Sequence, residues 1–224
     1  MLLALDTSTK LAGIALYDGA RGLIAEYNWR SANRHTVELM PQVALMMQQA
    51  GVTPADLAAV GVALGPGSFT GLRVALAAAK GLALANGLAL LGVPTLDAVA
   101  YPHQSQPTPV VALVQAGRGR VCWAFYAHGP GGWASQTPAR LSTVAELAAS
   151  IVRPTTFAGE LLPADQETLL QILGRPRAHF LPPALTMRRA GCLAELAWRR
   201  LANGEADDLA TLSPIYLHEP DKPK

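Results

Sequence analysis

Two short stretches carry the residue types that could do chemistry. The first is Gly65-Pro66-Gly67-Ser68-Phe69-Thr70-Gly71-Leu72-Arg73, where three glycines and a proline flank hydroxyl side chains. An apolar run over 57–64 precedes it and a run of helix formers follows, so the pattern predicts strand, tight loop, helix. A helix start leaves backbone N–H groups without intrahelical partners, and such groups attract anions. The loop is not a Walker A sequence, because no Lys follows Gly71, and no third glycine falls at the dinucleotide spacing. A plain tight turn fits the same residues, so the loop alone does not decide.

The second stretch is Asp6-Thr7-Ser8-Thr9, at the end of a short apolar strand over 2–5. A second strand follows over 11–17, closed by an Asp18-Gly19 turn, and a third over 24–28 completes a meander. A carboxylate at a strand end, with hydroxyls in the turn, resembles the first phosphate loop of the actin-like ATPase fold. There the Asp holds a metal ion and the turn's N–H groups hold phosphate. A hairpin in which Asp6 caps the turn reads equally well. The candidate nucleotide contacts are therefore Asp6, Thr7, Ser8, Gly65, Gly67, Ser68, Thr70 and Gly71.

Other chemistries find less support. Ser68 has no recognisable His/Asp set, and Gly-Pro-Gly-Ser-Phe is not a nucleophile elbow. His35 opens an amphipathic segment and reads as a packed residue at a helix start. Asp56 and Asp97 read as helix-end charges. Cys122 and Cys192, the only cysteines, lack partners at metal-site spacing and read as buried, reduced thiols. No metal site and no catalytic residue are assigned.

Composition narrows the class. Half of the 224 residues are hydrophobic, 15% are charged and the net charge is +2, so no nucleic-acid footprint arises from charge alone. An apolar chain of this kind implies a surface covered by a partner. Arg188, Arg189, Arg199 and Arg200 cluster in sequence and are expected on solvated helix faces. The apolar run over 74–91 is broken by Lys80, Asn86 and two glycines, and no secretory leader is visible, so a cytoplasmic protein without a membrane span is expected.

The elements that must position the two loops follow from periodicity. Residues 34–50 predict a helix kinked or restarted at Pro41, and Thr53-Pro54 caps a short turn. A helix over 72–85, a strand over 88–93 and a short helix over 95–100 complete the first half. The polar, proline-containing stretch 102–109 is the expected boundary, giving domains 1–104 and 105–224, with the last helix and tail as candidates to pack back on the first. Strands over 110–114 and 121–126 open the second half, and 129–132 reads as a loop. A helix from Thr143 with Glu146 at the capping-box position, a strand over 155–158 and helices over 166–173 and 187–203 follow. Two halves that both open strand, turn, strand suggest an α/β chain of two ribonuclease-H-like subdomains, the actin-like (ASKHA) arrangement. The second half has Gln115-Ala116-Gly117-Arg118 where the first has its Asp, and Gln115 brings no charge to a metal.

These motifs together resemble the TsaB (YeaZ) family: Leu5-Asp6-Thr7-Ser8-Thr9, His35, Leu39-Met40-Pro41, the loop 65–73 and Ala79-Lys80-Gly81-Leu82-Ala83, then more weakly Arg118, Gly159-Glu160 and Pro214-Ile215-Tyr216-Leu217. The resemblance implies a non-catalytic scaffold subunit for N6-threonylcarbamoyladenosine (t6A) formation at position 37 of tRNAs reading codons that start with A. It implies a homodimer in isolation, a heterodimer with the catalytic subunit TsaD, the ATPase TsaE as a further partner, and tRNA met through the complex. The family pattern has Asp-Ala-Arg-Arg where this chain has Gln115-Ala116-Gly117-Arg118, and Arg where it has His218. TsaD carries two metal-binding histidines at i and i+4, and the positions aligned with them here hold Thr95 and Val99. No cofactor is required by this reading, which leaves room for weak ATP or ADP binding. An ATP-dependent phosphotransferase or a peptidase of the actin-like class is the alternative.

The partner surface is expected on two helices. Gly71, Ala75, Ala78, Ala79 and Leu82 form a stripe of mainly small residues that suits close helix packing, within the domain or against a partner. The resemblance favours a partner, with Val37, Met40, Ala44 and Met47 on one helix and Leu72, Ala75, Ala78, Ala79 and Leu82 on the other.

Overall fold

A computed structural model describes residues 1–217 and divides into two compact units, Met1–Ala98 with Arg189–Ile215, and one built on Val99–Arg188. The first sheet contains β1 (Leu2–Asp6), β2 (Leu11–Asp18), β3 (Gly22–Arg30), β4 (Ala59–Gly65) and β5 (Ala89–Pro94), in the order β3-β2-β1-β4-β5. The first three run antiparallel in a meander, while β4 pairs parallel with β1 and β5 parallel with β4. β1 and β4 are buried along their whole length, which is why both read as continuous apolar runs rather than alternating ones.

Helix α1 (His35–Ala50) and helix α2 (Phe69–Asn86) cover one face of this sheet. Leu39 and Val43 of α1 and Ala75 and Ala79 of α2 join Leu3, Leu5, Val60 and Val62 in one core. α1 runs unbroken through Pro41, contrary to the expected kink or restart. Pro41 removes one hydrogen bond, to the carbonyl of Val37, but both residues are exposed, so that carbonyl is open to solvation and the loss is tolerated. Thr53 and Asp56 cap each other around a short 3₁₀ turn at Pro54–Asp56, and α3 (Thr95–Ala100) follows β5.

The second unit repeats the plan. Its strands β6 (Val110–Gly117), β7 (Arg120–Gly129), β8 (Gly132–Ser135), β10 (Thr155–Gly159) and β11 (Ala178–Phe180) lie in the order β11-β10-β6-β7-β8, with β9 (Arg140–Thr143) also paired to β7. β6 and β7 are antiparallel, and β10 is parallel to both β6 and β11, so the two sheets share one strand order. That is a pair of ribonuclease-H-like subdomains in one chain. Helices α4 (Val144–Ala149), α5 (Pro163–Leu173) and α6 (Pro183–Thr186) belong to this unit. At the start of α4, Thr143 and Glu146 form the expected capping box, with Thr143 N–H on Glu146 Oε2 at 2.8 Å.

The boundary lies at Ala98/Val99, not in the stretch 102–109, and α7 (Ala190–Ala202) belongs to the first unit. Its Ala190, Leu193, Ala194 and Ala197 pack with Leu2, Ala4, Ala59 and Ala63 on the sheet face opposite α1 and α2. β1 and β4 therefore sit between helices on both sides.

Candidate functional site

The two polar loops meet. Asp6, Thr7 and Ser8 are buried at the end of β1, and the loop 65–71 lies across them. The Ser68 N–H donates to the Ser8 carbonyl at 2.6 Å, and the Thr7 hydroxyl donates to the Gly71 carbonyl at 2.6 Å. Ser8 gives both its N–H (2.8 Å) and its hydroxyl (2.6 Å) to Asp6 Oδ1, so Asp6 caps the turn of the hairpin. Ser68 is the N-cap of α2, accepting the Gly71 N–H at 3.3 Å, and the Gly65 N–H goes to Thr95 Oγ1 at 3.0 Å. A Cβ at Gly67 or Gly71 would collide with the backbone carbonyl of Ser8 or Thr7, so the glycines are there for close approach. The eight candidate residues are thus brought together, except that Thr70 is exposed on the outer side of α2.

At the equivalent place in the second unit the chemistry differs. Gln115, near the end of β6, donates Nε2 to Asp165 Oδ2 at 2.7 Å and to the Glu160 carbonyl at 2.8 Å. Arg188, with a nearly buried side chain, pairs with Glu160 Oε1 at 2.9 Å, and Asp165 also accepts the Leu162 N–H. Here Gln115, Glu160, Asp165 and Arg188 satisfy one another's hydrogen-bonding groups.

The outer face of α1 and α2 is apolar. Val37, Met40 and Phe69 are 58%, 40% and 54% exposed, and Ala44 and Ala77 also face outward. A groove of about 470 Å³ runs between the helices, lined by Leu39, Met40, Phe69, Arg73, Val74 and Ala78 among others. The Arg73 guanidinium lies over the Phe69 ring, 3.7 Å from its centroid. This corrects the expected surface. Leu72, Ala75 and Ala79 are fully buried against the sheet and Met47 nearly so, which leaves none of the four available to a partner. Val37, Met40, Ala44 and Ala78 remain on the outer face or in the groove, and Leu82 is half-buried beside the core. Phe69, Arg73, Val74 and Ala77 were not anticipated. The i, i+4 spacing of Phe69, Arg73 and Ala77, opposite Leu72, Ala75 and Ala79, is the signal that could have found them.

A family model described as TsaD, tRNA N6-adenosine threonylcarbamoyltransferase, matches residues 29–221. The tRNA threonylcarbamoyladenosine biosynthesis protein TsaB of Bacillus subtilis is 30% identical over 219 residues, covering 96% of this chain and 93% of that protein. The chain belongs to the TsaB (YeaZ) family. TsaB of Escherichia coli is 34% identical over 127 residues, a match that spans 56% of this chain and 54% of that protein. Among solved structures, YeaZ of Pseudomonas aeruginosa superimposes with a TM-score of 0.79 at 27% identity, covering 96% of this chain and 99% of that one.

In this TsaB-family chain Thr95 and Val99 both lie in α3 (Thr95–Ala100). The Thr95 hydroxyl is occupied by the Gly65 N–H, and Val99 is buried. Among the described residues no three His, Cys, Asp or Glu side chains gather into a metal-holding cluster. The arginine cluster is a solvated surface only in part, since the Arg189 and Arg199 side chains are about half exposed, as expected, while Arg188 is buried and Arg200 half-buried. Arg188 is buried on Glu160, Arg189 pairs with Glu26 at 2.5 Å, Arg199 with Glu195 at 3.0 Å, and Arg200 with Asp207 at 2.9 Å. Burial pushes the Glu26 carboxyl up, but Arg189 and the Gly191 N–H outweigh it and hold Glu26 below the usual range. Burial drives both thiols up to about 11, so Cys122 and Cys192 are neutral at physiological pH. Among the described residues no helix is long and apolar enough to cross a membrane, and His218 lies outside them.

Proposed function

We propose that this chain is a non-catalytic accessory subunit of cytoplasmic tRNA threonylcarbamoyladenosine synthesis, acting by pairing with TsaD through the outer face of α1 and α2. The observation that carries the pairing is the groove of about 470 Å³ walled by exposed Met40 and Phe69. An apolar face with one stacked Arg has the composition of an interface core. In isolation the same face pairs two copies of the chain, and TsaD replaces the second copy. TsaE and tRNA engage the assembled complex.

The loops 6–8 and 65–71 serve here as a lock between β1 and α2, and nucleotide is not needed for it. The donors that would meet phosphate, Ser68 N–H and Thr7 hydroxyl, are taken up by the Ser8 and Gly71 carbonyls. Weak ATP or ADP binding would have to displace these bonds. Thr95 and Val99 in place of ligands support the non-catalytic reading.

Mixing the chain with TsaD and measuring mass by light scattering tests the pairing. Met40→Glu, on the exposed surface, should leave the fold intact and remove the mixed species. Unchanged complex formation by that variant would remove the assigned face.

A further inference from the structure

The segment after α7 crosses the open edge of the first sheet. The Asp207 N–H donates to the Leu90 carbonyl at 2.8 Å, and the Asp207 carboxylate accepts the Gly92 N–H at 2.6 Å. Arg200 completes this latch, giving Nη1 to the Gly92 carbonyl at 2.6 Å and both Nη atoms to Asp207, with Nε on Glu205 at 2.8 Å. Backbone groups of edge strand β5 are thereby satisfied and the edge is blocked.

Asp208 then turns the chain by accepting the N–H groups of Ala210 and Thr211, and Leu209 and Leu212 settle on the core beneath α2. Lys80 of α2 reaches the Ala210 carbonyl at 3.5 Å. Beyond it, the Ile215 N–H donates to the Leu64 carbonyl at 2.7 Å, and the Ile215 carbonyl lies 2.8 Å from where a Cβ on Gly65 would stand. The segment thus touches both the root of the loop 65–71 and the middle of α2. That loop has no slack, because Gly67 and Gly71 lie directly on Ser8 and Thr7. A shift at Gly65 is passed to Ser68 and so to the start of α2.

We propose that residues 205–215 form a strap whose seating on Leu90 and Leu64 sets the first turn of α2, and with it the groove wall made by Phe69, Thr70, Arg73 and Val74. Its effect on partner binding rests on the pairing role argued above, whereas its effect on α2 does not. Unseating the strap frees the Leu64 carbonyl, opens the β5 edge and removes one of the ties on the loop that leads into α2, leaving Gly65–Thr95, Ser68–Ser8 and Thr7–Gly71.

Two variants of the full chain test this. Ile215→Pro deletes the amide that donates to Leu64, and Asp207→Asn weakens the latch at little change of shape. Residue-resolved amide exchange should rise at least tenfold over 71–74 in either variant, with β1 and α7 unchanged. Self-association, followed by sedimentation, should weaken about as much. Should Ile215→Pro fail to fold, Asp207→Asn carries the same readout. Exchange over 71–74 within twofold of the parent, while the Gly92 amide opens, overturns the strap. A parent chain that never associates, alone or with TsaD, refutes the pairing role only, and the exchange comparison still decides the strap.

Discussion

Thr7 gives its hydroxyl proton to the Gly71 carbonyl at 2.6 Å, across 64 residues of sequence. This bond ties the turn after β1 to the first turn of α2, and with the Ser68–Ser8 bond it makes one rigid corner from two loops. Thr7→Val keeps the shape and removes the donor. The expected cost is about 1–2 kcal/mol, read as a lower urea midpoint with unchanged slope. A midpoint equal to the parent's would show that the corner does not depend on this bond.

Gly71→Ala should cost more. Its Cβ meets the Thr7 carbonyl, a backbone atom that cannot rotate away. We expect a loss of about 2–4 kcal/mol in thermal unfolding, against a gain of up to about 1 kcal/mol for Gly81→Ala, where the added carbon meets nothing and a helix interior favours Ala over Gly. Equal effects at the two sites would contradict the close approach.

Two glutamate variants separate surface from core. Met40→Glu lies on the outer face and should shift stability by no more than about 0.5 kcal/mol while weakening association at least tenfold. Leu72→Glu places a charge in a fully buried position and should unfold the chain rather than act at the interface. Circular dichroism and sedimentation on the pair decide it, and a folded, monomeric Leu72→Glu would reverse the assignment of faces.

The two thiols resist ionisation when folded. With both pushed up to about 11 by burial, alkylation at pH 7.5 should be slow in the native chain and fast in denaturant. Because these pKa values are raised, the stability they contribute is present below the unfolded thiol value, about 8.5, and is lost as pH climbs from there toward 11. Cys122→Ala should flatten that alkaline decline, and an unchanged decline would refute the assignment.

Acid acts on the strap in the opposite sense. The Arg200 hydrogen bond, then the Gly92 N–H, outweigh burial and hold the Asp207 carboxyl below its usual range. Its contribution is therefore complete above the unfolded value of about 3.9 and fades as pH falls below it. Gly92 exchange, corrected for intrinsic rate, should stay protected down to about pH 4 and lose protection progressively as pH falls further, through the lowered Asp207 value. Loss of protection already near neutrality would contradict the latch.

Much of the fold was legible because the local signals agree. β1 and β4 announce themselves as short, continuous apolar runs, and the Thr143–Glu146 box marks α4. The two loops were legible as a pair of polar turns at strand ends, but their mutual contact depends on pairing between β1 and β4, which no short-range pattern encodes. The phase of α2 was misread because Leu72, Ala75 and Ala79 on one side and Val74, Ala77 and Ala78 on another are equally apolar. Strands β8 and β9 are four residues each and mostly exposed, too short and polar to show alternation. The partners of Arg188, Arg189 and Arg200 include residues far away in sequence or on the sheet edge, so composition alone left them as surface charge.

The central claim is that the outer face of α1 and α2 receives TsaD. Light scattering of the purified chain mixed with TsaD, with and without ATP, tests it directly when repeated with Met40→Glu. The account predicts a one-to-one complex that replaces a homodimer, forms without added nucleotide and is lost in the variant. A homodimer that persists beside unbound TsaD, or a complex indifferent to Met40→Glu, would contradict it.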